Sequence, residues 1–344
     1  MEIINQILEA KHHWLYKDNE ELNRQIQLTI DAGFEKSDVF HALRWVHRQV
    51  TEEHLKNWYQ VISNDNVQPK KVLFFHAGNL PLVGFQDVIA ALLSGHHYLG
   101  KLSRKDPYLL KGFLDTFKKI TPSYHLKYSS DVVDFYGEMA DALVFSGSEK
   151  SSKEIVQICT NQQMIQNNAK QLIRTAHFSV AVIDDRSPKT MEDLVEAVLR
   201  YKGEGCRSVK LIIAPFDLYD HSCEVTDYVE SWWTNTKRGI DSLSDGGSYY
   251  YAYYRSLGKP MMKWENKVVI QTMPSRLETD VVYWIKGDKS ILDYLRSRYG
   301  NQIQTIYYSS VNDGKESELL EKAQFPDLNW KPDGVDVLQW LKNI

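Results

Sequence analysis

Apolar residues recur three or four positions apart near the start of the chain, at Ile4, Ile7, Leu8, Trp14 and Leu15 and again at Val39, Leu43, Val46, Leu55 and Trp58. That period predicts a helical layer with a polar outer face over residues 1–66. The pattern then changes. KVLFFH at 71–76 is a short β-prone run after Pro-Lys-Lys; it turns at Ala77–Gly78 and passes into LPLVGFQDVIAALLSG, which reads as a helix. The alternation repeats with His97–Lys101 as a strand, Pro107–Lys119 as a helix, a short element at Val132–Tyr136, and a strand Ala142–Phe145 leading into SGSEKSSKEIVQIC. Farther on, Phe178–Ile183 reads as a strand, Met191–Tyr201 as a helix, and the turn GEGC as the approach to the strongly β-prone SVKLIIAP. Lys267–Thr272, Asp280–Ile285 and Gln304–Ser309 are further strands, with Ile291–Tyr299 helical. Strands that alternate with helices at this spacing need crossover connections, which implies parallel sheets and a doubly wound α/β fold. The motifs place a boundary near residue 184: one domain over 1–183, completed by about 311–344, and a smaller α/β domain over 184–310.

Composition narrows the classes. A chain of 344 residues can bury two cores rather than one. Its 41 basic and 45 acidic residues give a formal net charge of -4 and form no basic run, so nucleic acid is not an expected partner. The opening MEIINQILEAKHHWLYKDNEELNRQIQ lacks the cationic and apolar regions of a secretory signal. No segment approaches the roughly 18 apolar residues that span a bilayer. A cytoplasmic protein is expected. Cys159, Cys206 and Cys223 are too few and too irregularly spaced for a disulfide framework, which fits a reducing compartment. The pairs His12/His13 and His96/His97 and the isolated His125, His177 and His221 lack zinc-type spacing, so no metal is expected.

Four short motifs carry candidate chemistry. Cys206 lies between Gly203-Glu204-Gly205 and a strand, where glycines allow a sharp turn that exposes a thiol; a lone cysteine is otherwise usually a buried small hydrophobe. Asn79 follows a strand end and Gly78, so its amide can point into a cleft as an oxyanion donor or can cap the next helix. Ser146-Gly147-Ser148 joins a strand to a helix, where backbone N–H groups suit a pyrophosphate, although an ordinary turn and cap would read the same way. No GxGxxG fingerprint is present. Lys101 and Arg104 stand at another strand end, placed for an adenosine ribose and a 2′-phosphate or simply as surface charge.

The order and separation of these motifs resemble the aldehyde dehydrogenase superfamily. HAGNLPLVGFQDVIAALLSGHHYLGKLSRKDP, IQTIYYSS and the terminal FPDLNWKPDGVDVLQWL are similar to the long-chain acyl-CoA reductase family, known from the fatty acid reductase of bacterial bioluminescence. The resemblance runs from about residue 70 to the end. It implies an aldehyde dehydrogenase-like fold, a doubly wound cofactor domain with a smaller catalytic domain. It also implies Cys206 as the nucleophile, Asn79 in the oxyanion hole, Lys101 on the adenosine ribose and a coenzyme A thioester as substrate. Arg104 falls where NAD-preferring members carry a glutamate, so NADPH is expected as the cofactor. Two departures matter. The Glu-Leu-Gly-Gly segment of hydrolytic members reads Arg174-Thr175-Ala176-His177-Phe178-Ser179 here, which removes the carboxylate that activates water. His177 or Glu204 are then the remaining acid/base candidates. The segment that grips the nicotinamide ribose is replaced by VVIQTMPSRLETD, leaving that residue unassigned and the oligomerisation ribbon reduced or absent. Two rival readings remain: a thiol acyltransferase or acyl carrier without hydride transfer, and a silent subunit that docks a partner acyl-transfer or acyl-activating enzyme through SYYYAYYRSLGKPMMKW.

Overall fold

The computed structural model describes residues 2–16, 18–60, 68–220, 222–238, 242–310 and 318–344. The chain divides into two units, Met1–Thr175 with Asp327–Ile344, and Ala176–Pro326.

The first unit opens with helices α1 (Glu2–Trp14), α2 (Glu20–Asp31), α3 (Lys36–Gln49) and α4 (Glu52–Tyr59). Helix α1 buries Ile4, Ile7, Ala10 and Trp14, one stripe at helical spacing. Asn19 and Thr51 start α2 and α4 by accepting from Leu22 N–H and His54 N–H. There follow β1 (Lys71–Phe75), α5 (Phe85–Ser94), β2 (His97–Lys101), α6 (Tyr108–Ile120), β3 (Leu126–Ser129), β4 (Ala140–Ser146), α7 (Glu149–Asn161) and β5 (Ile165–Arg174). The sheet is parallel with order β3-β2-β1-β4-β5. Along β1, Val72 and Phe74 join the core shared with α1, α5 and α6, while Leu73 and Phe75 join the core under α7. Both faces are covered, so the sheet is doubly wound. The helix after β1 starts at Phe85 rather than at Leu80, because Leu82 takes φ 57 and Gly84 forms the N-cap.

The second unit comprises β6 (Phe178–Val182), α8 (Pro188–Leu199), β7 (Val209–Ala214), α9 (Ser222–Thr236), α10 (Asp245–Ser256), β8 (Met261–Trp264), β9 (Lys267–Gln271), β10 (Val281–Lys286), α11 (Ile291–Tyr299), β11 (Ile303–Tyr308) and β12 (Glu318–Leu319). Its described strands run β12-β11-β6-β7-β10-β9-β8, all parallel except the β8–β9 hairpin. Strand β6 opens this unit, pairing with β7 and β11, although the sequence boundary at 183/184 would leave it in the first. The chain then returns to the first unit with α12 (Val337–Lys342). Gln86 Nε2 donates to the carbonyls of Leu328 (2.8 Å) and Trp330 (2.6 Å), and the His96 ring meets the Leu341 carbonyl at 2.9 Å. Those bonds strap the terminal segment to α5 and β2.

One ion pair anchors the first unit. Arg174, at the end of β5, donates to Asp87 in the first turn of α5 at 2.6 Å, with side-chain exposures of 6% and 11%. Removing one member of a buried pair leaves an uncompensated charge. Asp87→Asn is therefore expected to cost roughly 3–5 kcal/mol, and the double replacement Asp87→Leu/Arg174→Leu less. Urea titration of the three proteins checks this; a double variant as unstable as the single would show that the pair stabilises by contact alone.

Candidate active site

In the first unit, the strand order reverses between β1 and β4, so the crevice of such a sheet lies at the carboxyl ends of these strands. Asn79 stands in the loop that leaves β1, while Ser146 ends β4 and Gly147 and Ser148 lead from it into α7. Lys101 ends the neighbouring β2, and Arg104 follows it. Asn79 is exposed and lies five residues before the Gly84 cap, so it does not cap α5. Ser148 is a cap: its Oγ accepts from Ser151 N–H at 3.1 Å. Gly147 differs from the sequence expectation of a free donor, because its N–H donates to the Arg174 carbonyl at 3.1 Å. A side chain there would also strike the Phe145 ring, 2.7 Å from the Cβ position. The donors that suit a phosphate are thus the N–H groups at the start of α7, not Gly147.

At the β2 end, Lys101 is half-buried and its ammonium is held below its ordinary range, first by burial and then by Arg104. Arg104 is 73% exposed and reaches Asp131 at 3.4 Å. Asp106, in contrast, is buried; it accepts from Thr29 Oγ at 3.1 Å and from the N–H groups of Leu82, Tyr108 and Leu109. This carboxylate ties the loop carrying Arg104 to the turn after Asn79. Gly78 brings the two loops still closer, since a Cβ on it would lie 1.8 Å from Ser103 Oγ.

Three residues before Asn79 sits a buried polar group that sequence reasoning missed. His76 shares a 2.7 Å hydrogen bond with the Tyr98 hydroxyl, and Gly84 and Gly100 leave the space these rings occupy. Burial pushes the His76 imidazole down to about 4, opposed by Asp87 and assisted by Arg174 and Lys101. It stays neutral at ordinary pH.

In the second unit, Cys206 is partly exposed at the amino end of β7. Helix α8 ends at Leu199, and Tyr201 (φ 56), Lys202 (φ 56) and Gly203 (φ 68) follow, three consecutive left-handed residues. Such conformations cost roughly 1–2 kcal/mol for each non-glycine residue. Gly203 has no alternative, because a Cβ would lie 2.8 Å from Lys267 Cε and 2.9 Å from the Val198 carbonyl. Asn266 Nδ2 donates to the Lys202 carbonyl at 3.3 Å, Ser179 Oγ to the Cys206 carbonyl at 3.0 Å, and Ser208 N–H to the Gly205 carbonyl at 2.9 Å. Arg207 then donates to the carbonyls of Ala323 (2.7 Å) and Lys322 (2.6 Å). The turn is fixed on both sides of the thiol.

The sequence profile of the family described as Acyl-CoA reductase (LuxC) matches residues 42–228, more than half of the 344 residues, and includes Asn79, Lys101, Arg104, Ser146–Ser148 and Cys206. The chain belongs to this family. No protein of curated function matches it in sequence. Among solved structures it is similar to glyceraldehyde-3-phosphate dehydrogenase GapN from Methanocaldococcus jannaschii, complexed with NADP, at TM-score 0.65 and 14% identity over 97% of this chain and 84% of that one. Aldehyde dehydrogenase 21 from Physcomitrella patens, in complex with the reaction product succinate, gives 0.61 and 14% over 89% and 72%. Proline utilization A from Corynebacterium freiburgense gives 0.65 and 10% over 92% of this chain but only 36% of that larger protein. At these identities the likeness carries the fold, which is that of the aldehyde dehydrogenases. Family and fold together make the chain an oxidoreductase acting on aldehyde or acyl groups.

Within this acyl-CoA reductase the three cysteines are not equivalent. Cys159 is buried in the core under α7 and its thiol is pushed up to about 12 by burial, so it is inert at ordinary pH. Position 223 belongs to α9, and its side chain lies outside the described residues. Cys159 and Cys206 form no disulfide. His177 and Glu204 are exposed. Lys210, absent from the sequence reading, is half-buried on β7; burial and then Lys267 bring its ammonium down to about 8. On the tyrosine-rich α10, Tyr249 (62% exposed) and Tyr253 stack in the open, while Tyr250, Tyr251 and Tyr254 pack on the core. Among the described residues no group of three His, Cys, Asp or Glu can hold a metal ion, and no helix is long and apolar enough to cross a membrane.

The neutral His76 has a pH signature. An unfolded chain takes up a proton near 6.5, whereas the native imidazole resists until about 4. Stability should therefore fall as pH drops through that window, by roughly 3 kcal/mol from this group, and show no further loss from it below. His76→Gln should flatten that part of a plot of urea midpoint against pH; an identical slope in the variant would contradict a buried neutral ring.

Proposed function

We propose that this acyl-CoA reductase converts a coenzyme A thioester to an aldehyde through an acyl group held on Cys206, with NADPH as the reductant. The observation that carries the reading is the presentation of Cys206, a partly exposed thiol on a left-handed turn that only glycine can close at position 203. Strain kept beside a reactive group suits pre-organisation of a nucleophile. The Cys206 sulfur attacks the thioester carbonyl, forming a new C–S bond, and the coenzyme A thiolate leaves. Asn79, through its side-chain amide, and Cys206, through its own N–H, are assigned to the oxyanion. NADPH, when bound, supplies the hydride that converts the acyl group to a thiohemiacetal on Cys206. Collapse of that adduct breaks the C–S bond, returns the thiolate and releases the aldehyde.

The cofactor assignment rests on the residues at the carboxyl edge of the first sheet. Lys101 and Arg104 supply cations for the adenosine ribose and its 2′-phosphate, and Ser146, Gly147 and Ser148 shape the approach to the N-terminus of α7 for the pyrophosphate. Gly147 contributes space rather than its N–H, which is already engaged. Arg174 is turned inward to Asp87, so the segment that holds a water-activating carboxylate in hydrolytic relatives holds a buried cation here. That favours acyl exchange with a thiol over hydrolysis.

Two experiments test this. Radiolabelled acyl-CoA should label the native protein and the Cys159→Ser and Cys223→Ser variants, but not Cys206→Ser; undiminished label on that variant would remove the nucleophile. NADPH should be oxidised only when acyl-CoA is present, whereas acyl exchange without oxidation would identify an acyl carrier instead. Separately, Arg104→Glu should raise KM for NADPH by about tenfold or more and leave NADH much less affected, because a carboxylate would join Asp131 against the 2′-phosphate. The difference should shrink at high salt, since Arg104 is exposed. Equal effects on both cofactors would take Arg104 out of the site.

A further inference from the structure

Arg174 is bonded to two segments that the proposed reaction uses together. It ends β5 opposite Ser146 of β4, and its carbonyl accepts the Gly147 N–H at 3.1 Å, so its main chain sets the approach to the N-terminus of α7. Its guanidinium donates to Asp87 in the first turn of α5. That turn closes the loop carrying Asn79. The loop leaves β1 at His76, whose N–H is held by the Lys101 carbonyl at 3.0 Å, and ends at Gly84, the cap of α5, three residues before Asp87. One end of the loop is therefore fixed in the sheet, and the other follows the start of α5.

The Asp87–Arg174 pair is also incomplete. A guanidinium fork and a carboxylate can form two parallel hydrogen bonds, but Arg174 Nη2 and Asp87 Oδ2 form one, at 2.6 Å. Arg174 Nε and Asp87 Oδ1 meet no hydrogen-bond partner among the described residues, although the two residues are buried, at 6% and 8% exposure. Buried polar atoms are nearly always partnered. An unmet donor and an unmet acceptor on the two members of one ion pair give that pair a second arrangement, with both bonds formed.

We propose that Arg174 is a positioning residue that couples the cofactor segment to the Asn79 loop: a pyrophosphate bound at the N-terminus of α7 closes the Asp87–Arg174 fork, which fixes the start of α5 and the loop before it. The path is short. Gly147 hands a shift through its N–H to the Arg174 peptide, and the guanidinium delivers it to Asp87. The coupling is reciprocal, so a fixed Asn79 loop also tightens the cofactor. The chemistry gives it a use, because hydride transfer places charge on the oxygen assigned to Asn79 and takes place only with the cofactor bound. This role rests on the readings of Asn79 and of residues 146–148, and it adds a residue that acts through both segments rather than on either reactant.

The test is amide hydrogen exchange, read on peptides covering 76–84 and 147–154 with and without NADP+. In the native protein NADP+ should slow both, that of 76–84 by about tenfold, the scale of one charge-assisted hydrogen bond. Arg174→Lys keeps the charge and loses the fork. In that variant NADP+ should still slow 147–154 but no longer 76–84. Equal slowing of 76–84 by NADP+ in native and variant protein would overturn the proposal, since a part played by packing alone would loosen the loop alike with and without NADP+. Should Arg174→Lys fail to fold, Asp87→Leu/Arg174→Leu removes the pair without leaving a buried charge, and the same comparison decides. The native protein separates the two claims. Slowing confined to 147–154 leaves the cofactor site standing and removes the coupling, whereas no slowing of either peptide removes the site at α7 and the coupling with it.

Discussion

The path from α8 to β7 is the constraint on which the second unit depends. Between Leu199 and Val209 the chain must stop a helix, turn, and present Cys206 at the amino end of β7. Open α/β sheets ordinarily gather ligands at the carboxyl ends of their strands, and Cys206 stands at the opposite, amino end of β7. Three left-handed residues in succession make the turn, two of them with side chains. The surroundings over-determine them. Arg200 makes a bidentate pair with Glu196 (2.7 and 2.9 Å) and lies over Trp232, which fixes the end of α8. Lys267 fills the space behind Gly203 and is held at 3.4 Å by Asp280. Arg207 then pins the far side. Two arginines and a glycine convert an unfavourable backbone into a single conformation.

The first unit solves a different problem, how to fix the loop between β1 and α5. The segment from His76 to Gly84 leaves β1 and carries Asn79 in the open. Beneath it the His76–Tyr98 bond and the Asp87–Arg174 pair replace apolar packing with fixed polar geometry. The Arg174 guanidinium is thereby committed to Asp87 at 2.6 Å.

Much of this was legible from residue order. The runs KVLFF and VKLIIA are buried on both faces and announce themselves as parallel strands, and Ile291–Tyr299 is helical as its periodicity predicts. Strand β5 was missed because IQNNAKQLIR is an edge strand with polar residues turned to solvent, and β3 because a four-residue edge strand leaves almost no pattern. Helices α9 and α10 escaped notice because their aromatic residues lie all round the helix and blur the apolar stripe. The site divided in the same way. Which residues stand at strand ends follows from the alternation of elements. Whether their groups are free does not: the Gly147 N–H is spent on a carbonyl 27 residues away, at Arg174.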